Sequence, residues 1–205
     1  PPLSQDVDGT ETEQVLQVSS PAPAPAPALV CVGIDDDALL RMSHTVLFEH
    51  FLGADMSRSV MLGETVEEVQ RFVDVALGRK GPDGASLDGP AADVVVIDQH
   101  LVFATTKEEF VGTDLAERLV AEGYQGVACI LTGSCGEVQR LSALPYIDVA
   151  FEKGVPLKTI AASIRGVLKS KEEEAARGRD RLTLSGRPSI HSQIGGAPED
   201  VCALC

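Results

Sequence analysis

Nothing in the 205 residues is long and apolar enough to cross a bilayer, and Pro1-Pro2-Leu3 does not resemble a signal peptide. Basic residues are scarce: 17 Lys and Arg stand against 31 Asp and Glu, a net charge of −14. That balance argues against a nucleic-acid-binding surface, which would need a basic patch. The five cysteines, Cys31, Cys129, Cys135, Cys202 and Cys205, form no spacing of a disulfide framework. Cys31 and Cys129 lie inside apolar runs, where a thiol is a small hydrophobe, so a reducing, cytoplasmic setting is expected. An initiating Met is also missing, which suggests a processed chain or a piece of a longer one. Cys202-Ala203-Leu204-Cys205 reads as a Cys-x-x-Cys pair or as a prenylation box. The first lacks two further ligands and the second a polybasic neighbour, so a mobile tail is the expectation.

Three regions stand out. Residues 1–28 are polar and acidic and end in an alternating Pro-Ala run, Pro21 to Ala28, that favours an extended, semi-rigid spacer without a core. Residues 29–170 carry regular apolar patterning; roughly 140 residues suffice for one domain with a real core. Beyond Ser170 the pattern fades. Glu172 to Glu174 extend the last helix at most, and residues 171–205 are expected to be disordered.

Within the central region the signals alternate. Leu29–Ile34, Ser59–Leu62, Asp93–Asp98, Gly126–Leu131 and Ile147–Phe151 are short apolar runs suited to buried strands. Between and after them come five helical stretches. The first places Leu39, Leu40, Val46, Leu47 and Phe51 on one face. The second opens on Thr65 and Glu68, and the fourth on Ser134 and Glu137, both with capping-box spacing. Residues 78–92 and 99–111 are expected to be long connections. Strand–helix alternation of this kind predicts an α/β fold: a doubly wound, five-stranded parallel sheet with five helices and right-handed crossovers.

Four of the strands end on reactive groups. Asp35 and Asp36 follow the first, Asp98 ends the third, Thr132 follows the fourth and Lys153 the fifth. Parallel strands bring their carboxyl ends to one edge, where open α/β sheets bind ligands. Three carboxylates gathered there repel one another unless a cation neutralises them, and Mg²⁺, a hard ion satisfied by few carboxylates, is the natural candidate. Lys153 supplies a compact positive charge and Thr132 a hydroxyl to a phosphoryl group, and a carboxylate beside the metal can be its acceptor.

These residues resemble the receiver domains of two-component response regulators. The resemblance covers about Leu29 to Ser170 and rests on Ile34-Asp35-Asp36-Asp37, Asp98, Ile130-Leu131-Thr132-Gly133 and Phe151-Glu152-Lys153. It implies a flavodoxin-like fold and a phosphorelay role in which Asp98 takes phosphate from the phosphohistidine of a histidine kinase or phosphotransfer protein. It also implies Mg²⁺ held by Asp36, Asp98 and the backbone carbonyl of His100, with Asp35 acting through water, while Thr132 and Lys153 contact the phosphoryl group. The Pro-Ala spacer suggests the carboxyl-terminal receiver of a hybrid sensor kinase. The chain departs from the family at Val102, where Pro is usual, at Gly154, where Pro commonly follows the Lys, and at Ala150, where an aromatic switch residue is usual. The segment before Gly112 is also about six residues longer than usual.

Two rival readings exist. In a phosphohydrolase of the haloacid dehalogenase type, Asp35 would be nucleophile and Asp37 acid/base, but the acidic pair expected on a later strand is missing and Asp98 has no task. A receiver-like interaction module that is never phosphorylated would have lost one of the acidic or Lys positions, and all are present. Met42-Ser43-His44 has the start of a histidine-kinase phosphoacceptor box without the rest, so His44 is expected at the surface or half-buried. His100, two residues past Asp98, suits either a role at the site or an exposed loop.

Overall fold

The computed structural model describes residues 28–185. Its main sheet contains β1 (Cys31–Ile34), β2 (Val60–Leu62), β3 (Val94–Asp98), β6 (Val127–Thr132) and β7 (Val149–Glu152). All are parallel, in the spatial order β2-β1-β3-β6-β7. Five helices connect and cover them: α1 (Ala38–Val46), α2 (Val66–Ala76), α3 (Gly112–Ala121), α4 (Val138–Ser142) and α5 (Leu157–Ser185). The expected doubly wound architecture is therefore present. The spacer through Pro27 and the cysteines Cys202 and Cys205 lie outside the described residues.

Burial on both faces explains the unbroken apolar runs. Val95, Ile97, Ala128 and Ile130 point to one side, against Val69, Phe72 and Val73 of α2, Leu115 and Leu119 of α3, and Leu141 of α4. Val94, Val96, Cys129 and Leu131 point to the other, against Leu47, Phe48, Ile160 and Ile164. Successive side chains of a strand alternate, so a strand covered on both faces must be apolar at every position. Burial pushes both the Cys31 and Cys129 thiols up to about 12, which makes them inert packing groups.

Three elements differ from the sequence expectation. The segment 99–111 is not an open connection: it folds into an antiparallel hairpin of β4 (His100–Phe103) and β5 (Glu108–Val111). Its turn has no Gly, Pro, Asn or Asp, and Lys107 adopts the left-handed conformation at φ 60° instead. Leu101 is buried, and the Phe103 and Phe110 rings meet edge to face at 6.1 Å, which gives the hairpin its own apolar side.

The first helix continues from α1 into a π-helical turn at Leu47–Leu52. It buries His44, Leu47, Phe48 and Leu52, while Leu39 and Val46 face solvent. The expected apolar stripe is thus rotated, and His44 is buried at its centre, neither at the surface nor half-buried. Finally, α5 runs to Ser185, past the Ser170 at which the apolar periodicity fades. Lys171 fastens it by reaching the Gly126 carbonyl at 2.6 Å and Asp148 Oδ2 at 2.8 Å. Residues 78–92 form no helix or strand and lie between the end of α2 and the start of β3, at the sheet edge opposite the strand ends that carry Asp35 and Asp98.

Candidate functional site

The topological switch of the sheet lies between β1 and β3, because the chain leaves β1 toward β2 and then returns to build outward from β3. Ile34 is level with Ile97, so the next residues, Asp35 and Asp98, emerge side by side. Asp98 is level with Leu131, and Thr132 with Glu152, which brings Thr132 and Lys153 to the same edge. All the residues singled out at strand ends therefore meet.

Asp35, Asp36 and Asp98 each offer a carboxylate oxygen within 4.8 Å of the others. Asp35 and Asp98 are buried, and Asp36 is half-buried. Lys153 Nζ lies 3.1 Å from Asp35 Oδ2 and 2.8 Å from Asp98 Oδ2, and those two buried oxygens have no hydrogen bond of normal geometry to any other group. Burial, aided by the neighbouring Asp35 charge, raises Asp98 to about 6 even though Lys153 opposes it. Burial likewise raises Asp35. Burial would lower Lys153, but the two carboxylates outweigh it and hold the ammonium above its ordinary value. One ammonium facing two buried carboxylates and a third nearby leaves net negative charge in a confined space. A hard divalent cation fits that donor set.

Local structure fixes each carboxylate. Asp35 Oδ1 accepts from the Asp37 N–H at 2.9 Å. Asp98 Oδ1 accepts from the His100 N–H at 3.3 Å, and Asp36 Oδ2 from the Val102 N–H at 3.2 Å, so the hairpin grips the acidic pair directly. Asp37 accepts from Leu39 N–H and Leu40 N–H as the N-cap of α1. Its carboxylate is engaged there, outside the cluster, which removes the acid/base that the phosphohydrolase reading requires.

Some residues of the site are not evident from the motifs. Arg41, one turn into α1, points back toward the helix start and reaches the carbonyls of Asp35 and Asp36 at 2.9 Å and of Gly63 at 3.2 Å. It braces the acidic loop. Its only sequence signal is its spacing of four from the capping Asp37. Gln99, beside Asp98, is buried; its N–H donates to Leu131 and its carbonyl accepts from Gly112. His44 is pushed down to about 4 by burial and by the Lys153 charge, so it sits neutral beneath the site. Ala150 faces the α2–α4 side and Phe151 packs on the α1–α5 side, so no aromatic stands at the usual switch position.

The capping box expected at the fourth helix does not form. Ser134 makes no side-chain cap, and Glu137 Oε2 instead accepts the Thr132 hydroxyl at 2.9 Å. The box at the second helix forms by half: Thr65 Oγ1 accepts from Glu68 N–H at 3.3 Å, while Glu68 Oε2 accepts from Gly63 and Glu64 N–H, each at 2.8 Å. The backbone of His100 is at the site, and its side chain is exposed with Nε2 3.5 Å from Glu137 Oε2.

No family model matches the sequence, and no curated protein matches it either. Solved structures do. The receiver domain protein (CheY-like) from Methanospirillum hungatei JF-1 aligns at 17% identity and TM-score 0.51, covering 72% of this chain and 99% of its own. The signal receiver domain of an HD domain-containing protein from Pseudomonas fluorescens Pf-5 aligns at 13% identity and TM-score 0.52, covering 75% and 97%. That of a putative Luxo repressor protein from Vibrio parahaemolyticus aligns at 14% identity and TM-score 0.50, covering 73% and 97%. With sheet order, helix placement and these alignments in agreement, the chain has the fold of the response-regulator receiver domains.

Proposed function

We propose that the chain is a phosphoacceptor receiver domain, with Asp98 as the acceptor. The observation that carries this reading is the meeting of Asp35, Asp36, Asp98 and Lys153 at one strand-end crevice, with the two buried carboxylates sharing a single ammonium. An Asp98 oxygen attacks the phosphorus of a phosphohistidine donor. An O–P bond forms, the P–N bond breaks, and its electron pair leaves with the imidazole nitrogen. The product is an acyl phosphate. Lys153 balances charge on the phosphoryl oxygens, and the Thr132 hydroxyl, once it leaves Glu137, donates to one of them. Asp36, Asp98 and the His100 carbonyl would hold Mg²⁺, with Asp35 acting through water; when bound, the ion neutralises the three carboxylates and the charge that gathers on the transferring group.

The partner class is a histidine kinase or phosphotransfer protein in the cytoplasm. The Pro-Ala spacer suits a receiver tethered within a hybrid sensor kinase. Incubating the full chain with acetyl phosphate and Mg²⁺ tests the reading. We expect one hydroxylamine-sensitive phosphoryl group by intact mass, absent in Asp98→Asn. Multiple turnover of a phosphomonoester that survives Asp98→Asn but is lost in Asp35→Asn would overturn it.

A further inference from the structure

We infer that Glu137 is a latch on Thr132: it holds the hydroxyl proton that a phosphoryl group on Asp98 must capture, and capture releases Glu137 toward α4. The inference rests on the phosphoacceptor reading and deepens it by naming how the signal leaves the site.

A threonine hydroxyl has one proton to donate. In this structure it goes to Glu137 Oε2 at 2.9 Å, while the Thr132 oxygen accepts from the Ser134 N–H at 3.1 Å. Phosphoryl oxygens are acceptors only, so Thr132 can serve Glu137 or the phosphoryl group but not both. Thr132 is fully buried, so no solvent molecule replaces either partner freely.

The released carboxylate is already shared with two other elements. Glu137 Oε2 lies 3.5 Å from His100 Nε2 at the start of the hairpin, and Oε1 accepts from Arg140 Nη2 at 3.1 Å on α4. Exchange of one proton partner at Thr132 therefore reorganises contacts on β4 and α4 together. Position 150 itself, an alanine, carries no large side chain that could switch its packing. Glu137 is thus a positioning residue, acting through Thr132 and touching no phosphoryl group itself.

Acetyl phosphate with Mg²⁺, applied to the full chain, tests this through a double-mutant cycle. Glu137→Ala removes the competitor, and we expect its half-saturating donor concentration to fall, by roughly tenfold or more for a charge-assisted hydrogen bond. In a Thr132→Ala background the same substitution should change nothing, whereas in Thr132→Ser, which keeps the hydroxyl, the effect should return. Side-chain carboxyl NMR adds a direct readout: the Glu137 resonance should shift on phosphorylation of the wild-type chain and stay fixed in Thr132→Ala. An effect of Glu137→Ala that persists undiminished without the Thr132 hydroxyl overturns the latch, as does no effect in the wild-type background. If the wild-type chain takes no Asp98-dependent phosphate, the phosphoacceptor reading itself fails, a result distinct from normal phosphorylation without coupling.

Discussion

Asp98 and His44 are both almost fully buried, and their acidities are displaced in opposite senses. Burial raises Asp98 from 3.8 to about 6, so between those values the folded chain binds more protons than the unfolded one and stability falls as pH rises. Burial, with the Lys153 charge, lowers His44 from 6.5 to about 4, so in that window the unfolded chain binds more protons and stability rises with pH. Each displacement corresponds to roughly 3 kcal/mol. In the wild-type chain the raised Asp98 and Asp35 oppose the lowered His44, and the acid limb should be shallow. Asp98→Asn removes one of the opposing contributions and leaves the raised Asp35 against His44, so stability should climb more steeply with pH between 4 and 7 than in the wild-type chain. His44→Leu should leave the two raised carboxylates unopposed, with stability declining as pH rises. Urea denaturation in the presence of a chelator measures both, and an unchanged slope in either variant would count against the burial account.

At the scale of elements, the hairpin is the feature that distinguishes this site. It leaves the sheet directly after Asp98, returns at Gly112, and hands the Val102 N–H to Asp36. The return is tight: a Cβ on residue 112 would stand 2.2 Å from the Asp98 carbonyl oxygen and 2.9 Å from Ile97 Cγ2. Backbone offers no easy retreat there. Gly112→Ala should therefore destabilise the fold by about 1–3 kcal/mol and displace the end of β3. Chemical denaturation and the extent of labelling by acetyl phosphate read the two consequences, and a variant normal in both would show that the junction tolerates a side chain. The hairpin was hidden in the sequence because its turn, Ala104 to Lys107, carries none of the usual turn residues.

For the whole molecule, the excess of negative charge at the crevice makes its stability sensitive to a divalent cation. A ligand that binds only the folded state stabilises it by mass action, by about 2.7 kcal/mol at a hundred times its Kd. Mg²⁺ should raise the unfolding midpoint of the wild-type chain, and the rise should be reduced in Asp36→Asn. Equal shifts in the two proteins, followed by thermal unfolding, would place the ion elsewhere. The helices on both faces make this a cooperative readout, since β3 is buried along its whole length and joins both cores.

The five strands, their parallel arrangement and the convergence of Asp35, Asp36, Asp98, Thr132 and Lys153 were legible in the chain itself. Strands covered on both faces must be apolar throughout, and polar residues therefore mark where they emerge. Other features depended on tertiary structure. His44 has no motif that announces burial; the phase of α1 and its π turn carries it inward. Glu137 had the spacing of a capping residue, yet the nearby Thr132 hydroxyl claimed its carboxylate. Local pattern determines which residues leave the sheet, because burial is a property of each strand. Which partner each emerging side chain takes was decided only by the fold, because a hydrogen bond depends on where atoms stand in three dimensions, whether the residues are near in sequence, as Thr132 and Glu137 are, or far apart, as Asp36 and Val102 are.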